Sequence, residues 1–248
     1  MLWYQSLILA LIQAITEFLP VSSSGHLAIA QELFGSTPSL SFDIFLNTAT
    51  LFSVIFFFKK QSKDFLNKLV FIFLSSIPAV LVTLIFKDQI SSLFSQTTYL
   101  TASFLVTSLL LFSVKLIKKR KQTFLTPQKA IIIGLFQSLA IFPGISRSAS
   151  TIFAGLLCGL GSQKAFEYSF YLFIPASLGA LVFGVTQTDL ASLSFSSYLP
   201  YAIICFLVGL ISLKLLKKTI QSKKLWYFSF YTLALSCLTI YFSYHQSF

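Results

Sequence analysis

Charged residues are scarce in this chain. Asp, Glu, Lys and Arg make up only 10% of its 248 residues, whereas hydrophobic residues make up 56% and the mean hydropathy is +0.83. Soluble domains carry about 25% charged residues, so this scarcity excludes an ordinary soluble domain. The composition predicts an integral membrane protein.

Basic residues near the N-terminus and cysteines are also few. No Lys or Arg precedes Lys59, so the N-terminus lacks the positively charged start of a signal peptide. The cysteines are odd in number, and Cys158, Cys205 and Cys237 all lie in apolar segments. We interpret them as packing residues and not as disulfide partners or metal ligands.

The net charge of +11 raises the question of nucleic acid binding, but the positions of the basic residues argue against it. Apart from Lys87 and Arg147, they fall in short clusters between apolar segments, at 59–68, 115–129, 164 and 214–224. Cytoplasmic Lys and Arg at such places orient membrane helices. We therefore expect the bilayer, and no nucleic acid, as a partner of this chain.

Six apolar segments reach the length of a membrane-spanning helix, roughly 20 residues. They run over 40–58, 66–86, 98–117, 164–186, 198–216 and 225–244. Two other regions each hold two shorter apolar stretches separated by a polar break. The first region has the stretches 2–19 and 26–35, and the second has the stretches 130–142 and 149–161. Each of these predicts a re-entrant hairpin, whose irregular tip needs protein or water around it.

The order of one hairpin and three spans occurs twice, and at an offset of 124 residues Gln13 matches Gln137 and Ser22 matches Ser146. Three spans per half is an odd number, so the halves have opposite orientations. We predict an all-α integral membrane protein with a single membrane domain over 1–248. It consists of two inverted-topology repeats, 1–124 and 125–248, each a re-entrant helical hairpin plus three transmembrane helices.

The basic clusters set the orientation of this arrangement. With 59–68 in the cytoplasm, 115–129 and 214–224 are cytoplasmic too, while Lys87 and 187–197 lie outside. The first hairpin then enters from outside and the second from inside. Their tips should meet near the midplane, where many inverted-repeat transporters bind their ligand.

Both hairpin tips carry polar motifs. They read Gln13-Ala-Ile-Thr-Glu17-Phe-Leu-Pro-Val-Ser22-Ser23-Ser24-Gly-His26 and Pro143-Gly-Ile-Ser146-Arg147-Ser148-Ala-Ser-Thr151. A central Arg costs about 2.5–3.5 kcal/mol on insertion scales, so ionisable groups at membrane depth are functional by default. Hydroxyls, glycines, a carboxylate and a guanidinium together suit phosphate, which a guanidinium binds bidentately.

Each candidate has a structural alternative. Glu17 shares a helical face with Gln13. It is a candidate metal ligand or acid–base group, and its structural alternative is a residue at a helix end in the membrane interface. The structural alternative for Gln13 is a hydrogen bond to the buried backbone of the hairpin. His26, on the face of Ser22 and near Glu17 across the turn, is a candidate base or nucleophile. Asp43 and Glu167, near span ends, are read as structural. The candidate phosphate-binding residues, some of which can also cap helices, are Ser22, Ser24, Ser146, Arg147, Ser148 and Thr151.

On these two motifs, and on Phe136-Gln137 and Glu167-Tyr-Ser-Phe, the chain resembles the undecaprenyl-pyrophosphate phosphatase family of the bacitracin-resistance type over nearly its whole length. The resemblance implies a multi-pass protein of the bacterial cytoplasmic (inner) membrane that cleaves undecaprenyl pyrophosphate to the monophosphate and inorganic phosphate. This reaction recycles the lipid carrier of peptidoglycan synthesis and gives bacitracin resistance. It also implies a divalent cation, Mg²⁺ or Ca²⁺.

The resemblance assigns roles to particular positions of this chain, namely Gln13, Glu17, Ser22, Ser23, His26, Ser146, Arg147 and Thr151. Many family members carry glutamate at the position of Gln13. Here Glu17 alone must anchor the cation, with pyrophosphate oxygens completing its shell. Ala149 stands where glycine is common.

The residues leave the nucleophile open. Ser23 with His26 as its base, His26 itself, Ser22, or a water activated by His26 all fit, with Glu17 and Arg147 neutralising charge. A transporter or flippase of an anionic polyprenyl lipid is the alternative function, and release of inorganic phosphate distinguishes the two. The oligomeric state, with a homodimer as one candidate, the prenyl chain length and the face of substrate access also stay open.

Overall fold

A computed structural model describes residues 2–35, 40–86, 89, 97–118, 122–187 and 195–245. Within these ranges the regular elements are all helical, which confirms the prediction of an all-α chain. Several residues of the loops that set the predicted orientation lie outside the described ranges, namely Lys87, Lys119, Arg120, Lys121 and, in the 187–197 loop, Asp189.

Eleven α-helices occupy the described ranges, together with short 3₁₀ turns at Lys59–Gln61 and Leu225–Tyr227. The helices are α1 Trp3–Thr16, α2 Ser23–Leu33, α3 Leu40–Phe57, α4 Ser62–Asn67, α5 Leu69–Ile85, α6 Thr97–Leu116, α7 Pro127–Leu139, α8 Arg147–Leu157, α9 Ser162–Gln187, α10 Phe195–Gln221 and α11 Phe228–His245. Each of the six apolar segments predicted to span is a helix: α3, α5, α6, α9, α10 and α11.

Three stretches are long and apolar enough to cross a membrane by themselves: Tyr99–Leu116, Ser162–Thr186 and Ser196–Gln221. A fourth is reached if Ser41–Phe57 and Lys59–Asn67, which are bent by 59° at a break, count as one span. The remaining apolar helices in the described ranges are shorter. These lengths identify a multi-pass membrane protein.

The outer surface of the helices is apolar. On α5, the side chains of Val70, Phe73 and Leu84 are 69%, 69% and 71% exposed. Contiguous apolar surface of this kind is unfavourable in water and favourable against lipid tails. The inner surface is aromatic, since Phe18 packs on Phe170 and Phe173 with ring centroids 5.8 and 6.1 Å apart.

Helix pairs surround the two polar motifs. α1 packs on α2 and α7 packs on α8, so each motif lies at the tip of a helical pair. Around these pairs, α5 packs on α7, α10 on α1 and α3, α9 on α3 and α8, and α11 on α6. The α5–α7 contact is so close that a Cβ on Gly134 would lie 2.4 Å from the Ser75 carbonyl oxygen.

Cysteine labelling tests the predicted orientation. The native Cys158, Cys205 and Cys237 are first replaced with alanine. Single cysteines at the exposed positions of Lys63, Lys118 and Lys218 are then expected to react only with reagent on the cytoplasmic side, because basic loops stay there.

Cysteines in place of Phe86 and Ser196 are the matched probes of the opposite face, and they should react from outside. Labelling of positions 63 and 118 from opposite faces would contradict the inverted arrangement.

Candidate active site

The two hairpin tips contact each other directly. Glu17 caps the C-terminus of α1, and Arg147 is the first residue of α8. The Arg147 Nη2 donates to Glu17 Oε1 at 3.1 Å. The backbone N–H of Gly144 also donates to the Ser24 hydroxyl at 3.3 Å. Residues distant in sequence therefore form one site.

Small residues permit this close approach. A Cβ on Gly25 would lie 2.6 Å from the Phe104 ring and 3.3 Å from the Gly144 Cα. Gly144 has φ of +89°, and a Cβ there would lie 2.6 Å from the Ser103 side chain. A side chain at Gly25 would therefore separate the two tips, and one at Gly144 would push the second tip away from α6.

Serine side chains cap both helices that start at the tips. The Ser22 hydroxyl accepts from the Gly25 N–H at 3.5 Å at the start of α2, and the Ser146 hydroxyl accepts from the Ala149 N–H at 3.3 Å at the start of α8. Two helix N-termini, with their partial positive charge, thus meet at the site.

Ser22 has an unusual backbone. Its φ of 70° and ψ of 101° lie in a region that residues other than glycine rarely adopt. Strained backbone of this kind costs about 1–3 kcal/mol and clusters at functional sites.

Glu17 connects the polar side chains of the site through hydrogen bonds to both of its carboxylate oxygens. Its Oε2 accepts from the Ser23 hydroxyl at 2.6 Å and from the Gln13 amide at 3.1 Å, while Oε1 binds Arg147. The expected proximity of Gln13 and Glu17 is therefore present. The carboxylate holds the Ser23 hydroxyl in place and accepts its hydrogen bond.

Arg147 is nearly enclosed by protein. Its guanidinium lies over the Phe173 ring at 4.2 Å, and its Nη1 donates to the Ser169 carbonyl at 3.4 Å. The side chains of Arg147 and Glu17 are only 14% and 13% exposed. A buried ion pair adds little net stability because both charges lose water, so its presence here points to a role beyond stability.

A cavity of about 680 Å³ opens beside this pair. Its polar lining includes Glu17, Ser22, Ser23, Ser24, Ser146 and Arg147. Apolar residues of α5 and α9 also line the cavity, among them Val80, Leu84 and Phe183. The cavity lining therefore combines charged and hydroxyl groups with apolar side chains.

His26 contacts the turn that precedes it and the helix α11, and its predicted proximity to Glu17 stays a prediction. Its Nδ1 contacts the Ser22 carbonyl oxygen at 2.6 Å, and its Nε2 contacts the Tyr231 hydroxyl at 2.7 Å. The ring stacks on Tyr231, and His26 is not among the described residues that line the cavity. The helical turn directs the imidazole toward α11, because α6 and α11 provide its packing partners.

Ser148 and Thr151 lie behind the cavity wall. The Ser148 hydroxyl contacts Ser146 Oγ at 3.3 Å and donates to the Leu19 carbonyl at 3.5 Å. The Thr151 hydroxyl donates to the Arg147 carbonyl at 2.8 Å. In this structure both side chains therefore support the wall, and their predicted contact with phosphate stays a prediction.

Thr107 is a site residue that sequence reasoning missed. Its hydroxyl donates to the Gly144 carbonyl at 3.2 Å and accepts from the Ser146 N–H at 3.1 Å. It thus fixes the loop that precedes Arg147. Thr107 stands in an apolar span with no motif around it, so no local signal marked it.

The oxygen atoms of the site suit a cation that binds both the protein and the phosphate groups of a substrate. No group of three His, Cys, Asp or Glu residues that could hold a metal exists among the described residues. Glu17 is the one carboxylate in the described lining of the cavity. Mg²⁺ commonly binds through one or two carboxylates, with waters and substrate phosphates as its other ligands. Glu17 and the serine hydroxyls fit that mode.

A model of the family described as bacitracin resistance protein BacA matches residues 6–238. The chain belongs to this family. Similar curated proteins carry the name undecaprenyl-diphosphatase. One from Methanococcus vannielii is 37% identical, with 96% of this chain and 99% of that protein covered. One from Thermosipho africanus is 40% identical, covering 95% and 98%, and one from Treponema denticola is 38% identical, covering 96% and 97%.

Proposed function

We propose that this member of the BacA family is an undecaprenyl-diphosphatase, which hydrolyses undecaprenyl diphosphate to undecaprenyl phosphate and inorganic phosphate. The observation that carries the proposal is the connected set of Ser23, Glu17 and Arg147 in the lining of a cavity that also has apolar side chains. The family and the names of near full-length relatives support the same reaction. The product re-enters peptidoglycan synthesis, and its recycling confers bacitracin resistance.

Substrate binding follows from the polar and the apolar residues that line the cavity. The Arg147 guanidinium, the capped N-termini of α2 and α8 and the Ser146 hydroxyl bind the diphosphate, because each offers positive charge or donors to phosphate oxygens. The prenyl tail lies against Val80 and Leu84 on α5 and Phe183 on α9. These residues are in the C-terminal parts of their helices, so in the proposed orientation the lipid gains access from the outer leaflet.

Ser23 is the nucleophile in this mechanism. Its Oγ attacks the terminal phosphorus, and its proton passes to Glu17 Oε2, the atom to which it already donates at 2.6 Å. The bond from that phosphorus to the bridging oxygen breaks, and undecaprenyl phosphate leaves. A water then attacks the phosphoserine and the P–Oγ bond breaks. Glu17 returns its proton to the Ser23 Oγ, and the oxygen and protons of the water leave as part of inorganic phosphate.

Arg147 and His26 have different tasks. Arg147 neutralises charge that develops on the phosphoryl oxygens. His26 holds the backbone of Ser22 through its 2.6 Å contact with the carbonyl oxygen. When bound, a divalent cation supplies further charge neutralisation, and Glu17 with the diphosphate oxygens would hold it.

The finer architecture is part of the proposal: six spans, two re-entrant hairpins, and inverted repeats over 1–124 and 125–248 within one membrane domain. Helix packing supports it. In the two repeats, α1, α2, α3, α5 and α6 correspond in this order to α7, α8, α9, α10 and α11. Under this exchange the α5–α7 contact becomes the α10–α1 contact, and the α1–α2 contact becomes the α7–α8 contact; all four are present. The α3–α9 and α6–α11 contacts map onto themselves. The bacterial inner membrane is the proposed location, and a homodimer stays a prediction.

A phosphate-release assay tests the function. The purified chain in detergent, with Mg²⁺ and undecaprenyl diphosphate, is expected to release one inorganic phosphate for each undecaprenyl phosphate formed. Movement of the intact lipid across vesicles without phosphate release would instead favour the flippase and contradict the proposal.

Replacing Gln13 with glutamate is expected to lower the divalent-ion concentration for half-maximal activity. The Gln13 amide lies 3.1 Å from Glu17 Oε2, so a glutamate there adds a second carboxylate at the same place. Two carboxylates repel each other until a cation binds between them.

The measurement is a Mg²⁺ titration of phosphate release for wild type and Gln13→Glu, with Gln163→Glu, another glutamine one turn before a glutamate, as the control. An unchanged midpoint, or a shift to higher Mg²⁺, would show that position 13 does not face the cation.

A further inference from the structure

One buried amide oxygen in the cavity wall has no partner. Gln137 lies on α7, is 5% exposed and lines the cavity together with Arg147. Its Oε1 receives no hydrogen bond, and the only other buried side-chain atom of this kind in the described ranges is the Gln61 Oε1. Buried acceptors are nearly always satisfied, so this oxygen needs a partner that the protein does not itself supply, which is a water or an ion.

Comparison of the halves explains why this oxygen is free. Gln137 corresponds to Gln13 at the offset of 124 residues, and Gln13 donates its amide to Glu17 one turn later. The residue that corresponds to Glu17 is Ile141, which also lines the cavity. Isoleucine offers no polar atom, so the second amide lacks the local partner that the first one has.

The chemistry of this oxygen limits what it binds. An amide oxygen accepts hydrogen bonds or coordinates cations, whereas phosphate oxygens are themselves acceptors and do not pair with it. Both oxygens of Glu17 are engaged, by Arg147 on one side and by Ser23 and Gln13 on the other. Gln137 Oε1 is therefore an oxygen with free capacity for a hard cation.

We infer that Gln137 Oε1 is a ligand of the divalent cation that accompanies the diphosphate, bound directly or through one of the waters of the cation. The inference rests on the proposed function, because the diphosphate supplies the other oxygens. It places the cation between the two repeats, with Glu17 from the first and Gln137 from the second.

Equilibrium dialysis of Mn²⁺ against the purified full-length chain in detergent tests the inference. Methylenediphosphonate, a diphosphate that is not hydrolysed, is present at equal concentration on both sides. Gln137→Leu is expected to raise the Kd for Mn²⁺ about tenfold. Gln137→Glu is expected to lower it, because the new carboxylate attracts the cation, and misfolding cannot produce that direction.

Gln61→Leu is the matched control, because it removes the other unpartnered buried amide oxygen at a place that does not line the cavity. Its Kd should equal that of wild type. Equal Mn²⁺ affinity in wild type and Gln137→Leu, or no Mn²⁺ retention by wild type, would overturn the inference. The dialysis involves no turnover, so failure of the proposed function is recognised separately, by absence of phosphate release from the wild type.

Discussion

Replacing Arg147 with alanine is expected to reduce phosphate release from undecaprenyl diphosphate about 10³-fold or more in kcat/KM. Arg147 is the one cationic side chain in the described lining of the cavity, and it lies over Phe173 where little water competes for it. The large effect follows because the charge on the transferring phosphoryl group then has no opposing charge from a side chain of the described lining.

Arg147→Lys separates charge from geometry. Lysine keeps a cation beside Glu17 but loses the planar fork, so we expect activity to stay about 10²-fold below wild type. Arg147→Ala leaves Glu17 buried without its partner, which costs about 3–5 kcal/mol of stability, so thermal unfolding in detergent is measured in parallel. Lys218→Ala, at an exposed position on α10, is the control and should retain full activity. Near wild-type turnover in folded Arg147→Ala would refute the site.

Glu17→Gln is expected to lower activity about 10²–10⁴-fold at ordinary Mg²⁺ concentration. Glutamine keeps the shape of the side chain, and its amide oxygen still accepts a hydrogen bond from Ser23. What is lost is the negative charge that pairs with Arg147 and that, in the proposed mechanism, takes the Ser23 proton and anchors the cation. The measurement is the rate of phosphate release over a range of Mg²⁺ concentrations.

Glu167→Gln is the matched control for this change. Glu167 accepts a hydrogen bond from Gln163 at 2.6 Å and does not line the cavity, so its loss should leave turnover nearly unchanged. Equal losses in the two variants would mean that the effect of Glu17→Gln comes from general disruption of the fold.

The double variant tests whether Glu17 and Arg147 act as one unit. Their side chains are 3.1 Å apart, and neighbouring residues in one network are not additive. We expect Glu17→Gln with Arg147→Ala to be little worse than Arg147→Ala alone. Losses that multiply would indicate that the two residues contribute independently.

The sequence by itself determined the helices and their breaks. Long apolar segments became α3, α5, α6, α9, α10 and α11, because hydropathy is a property of each segment alone. The breaks at Pro20 and at Pro143 were also readable, since proline disfavours helix in the residue before it and serine favours the start of the next. The motif residues Glu17 and Arg147 were recognisable because ionisable groups are rare in apolar chains.

Only the tertiary structure decided which of these residues meet. The pairing of Glu17 with Arg147 and the bridge from Thr107 to the second tip join residues far apart in the chain, and no local pattern encodes such contacts. The contact of His26 with the Ser22 carbonyl follows from their four-residue spacing, whereas its stacking on Tyr231 of α11 joins residues far apart in the chain. Local composition specifies the elements, whereas packing between elements specifies the partners of each side chain.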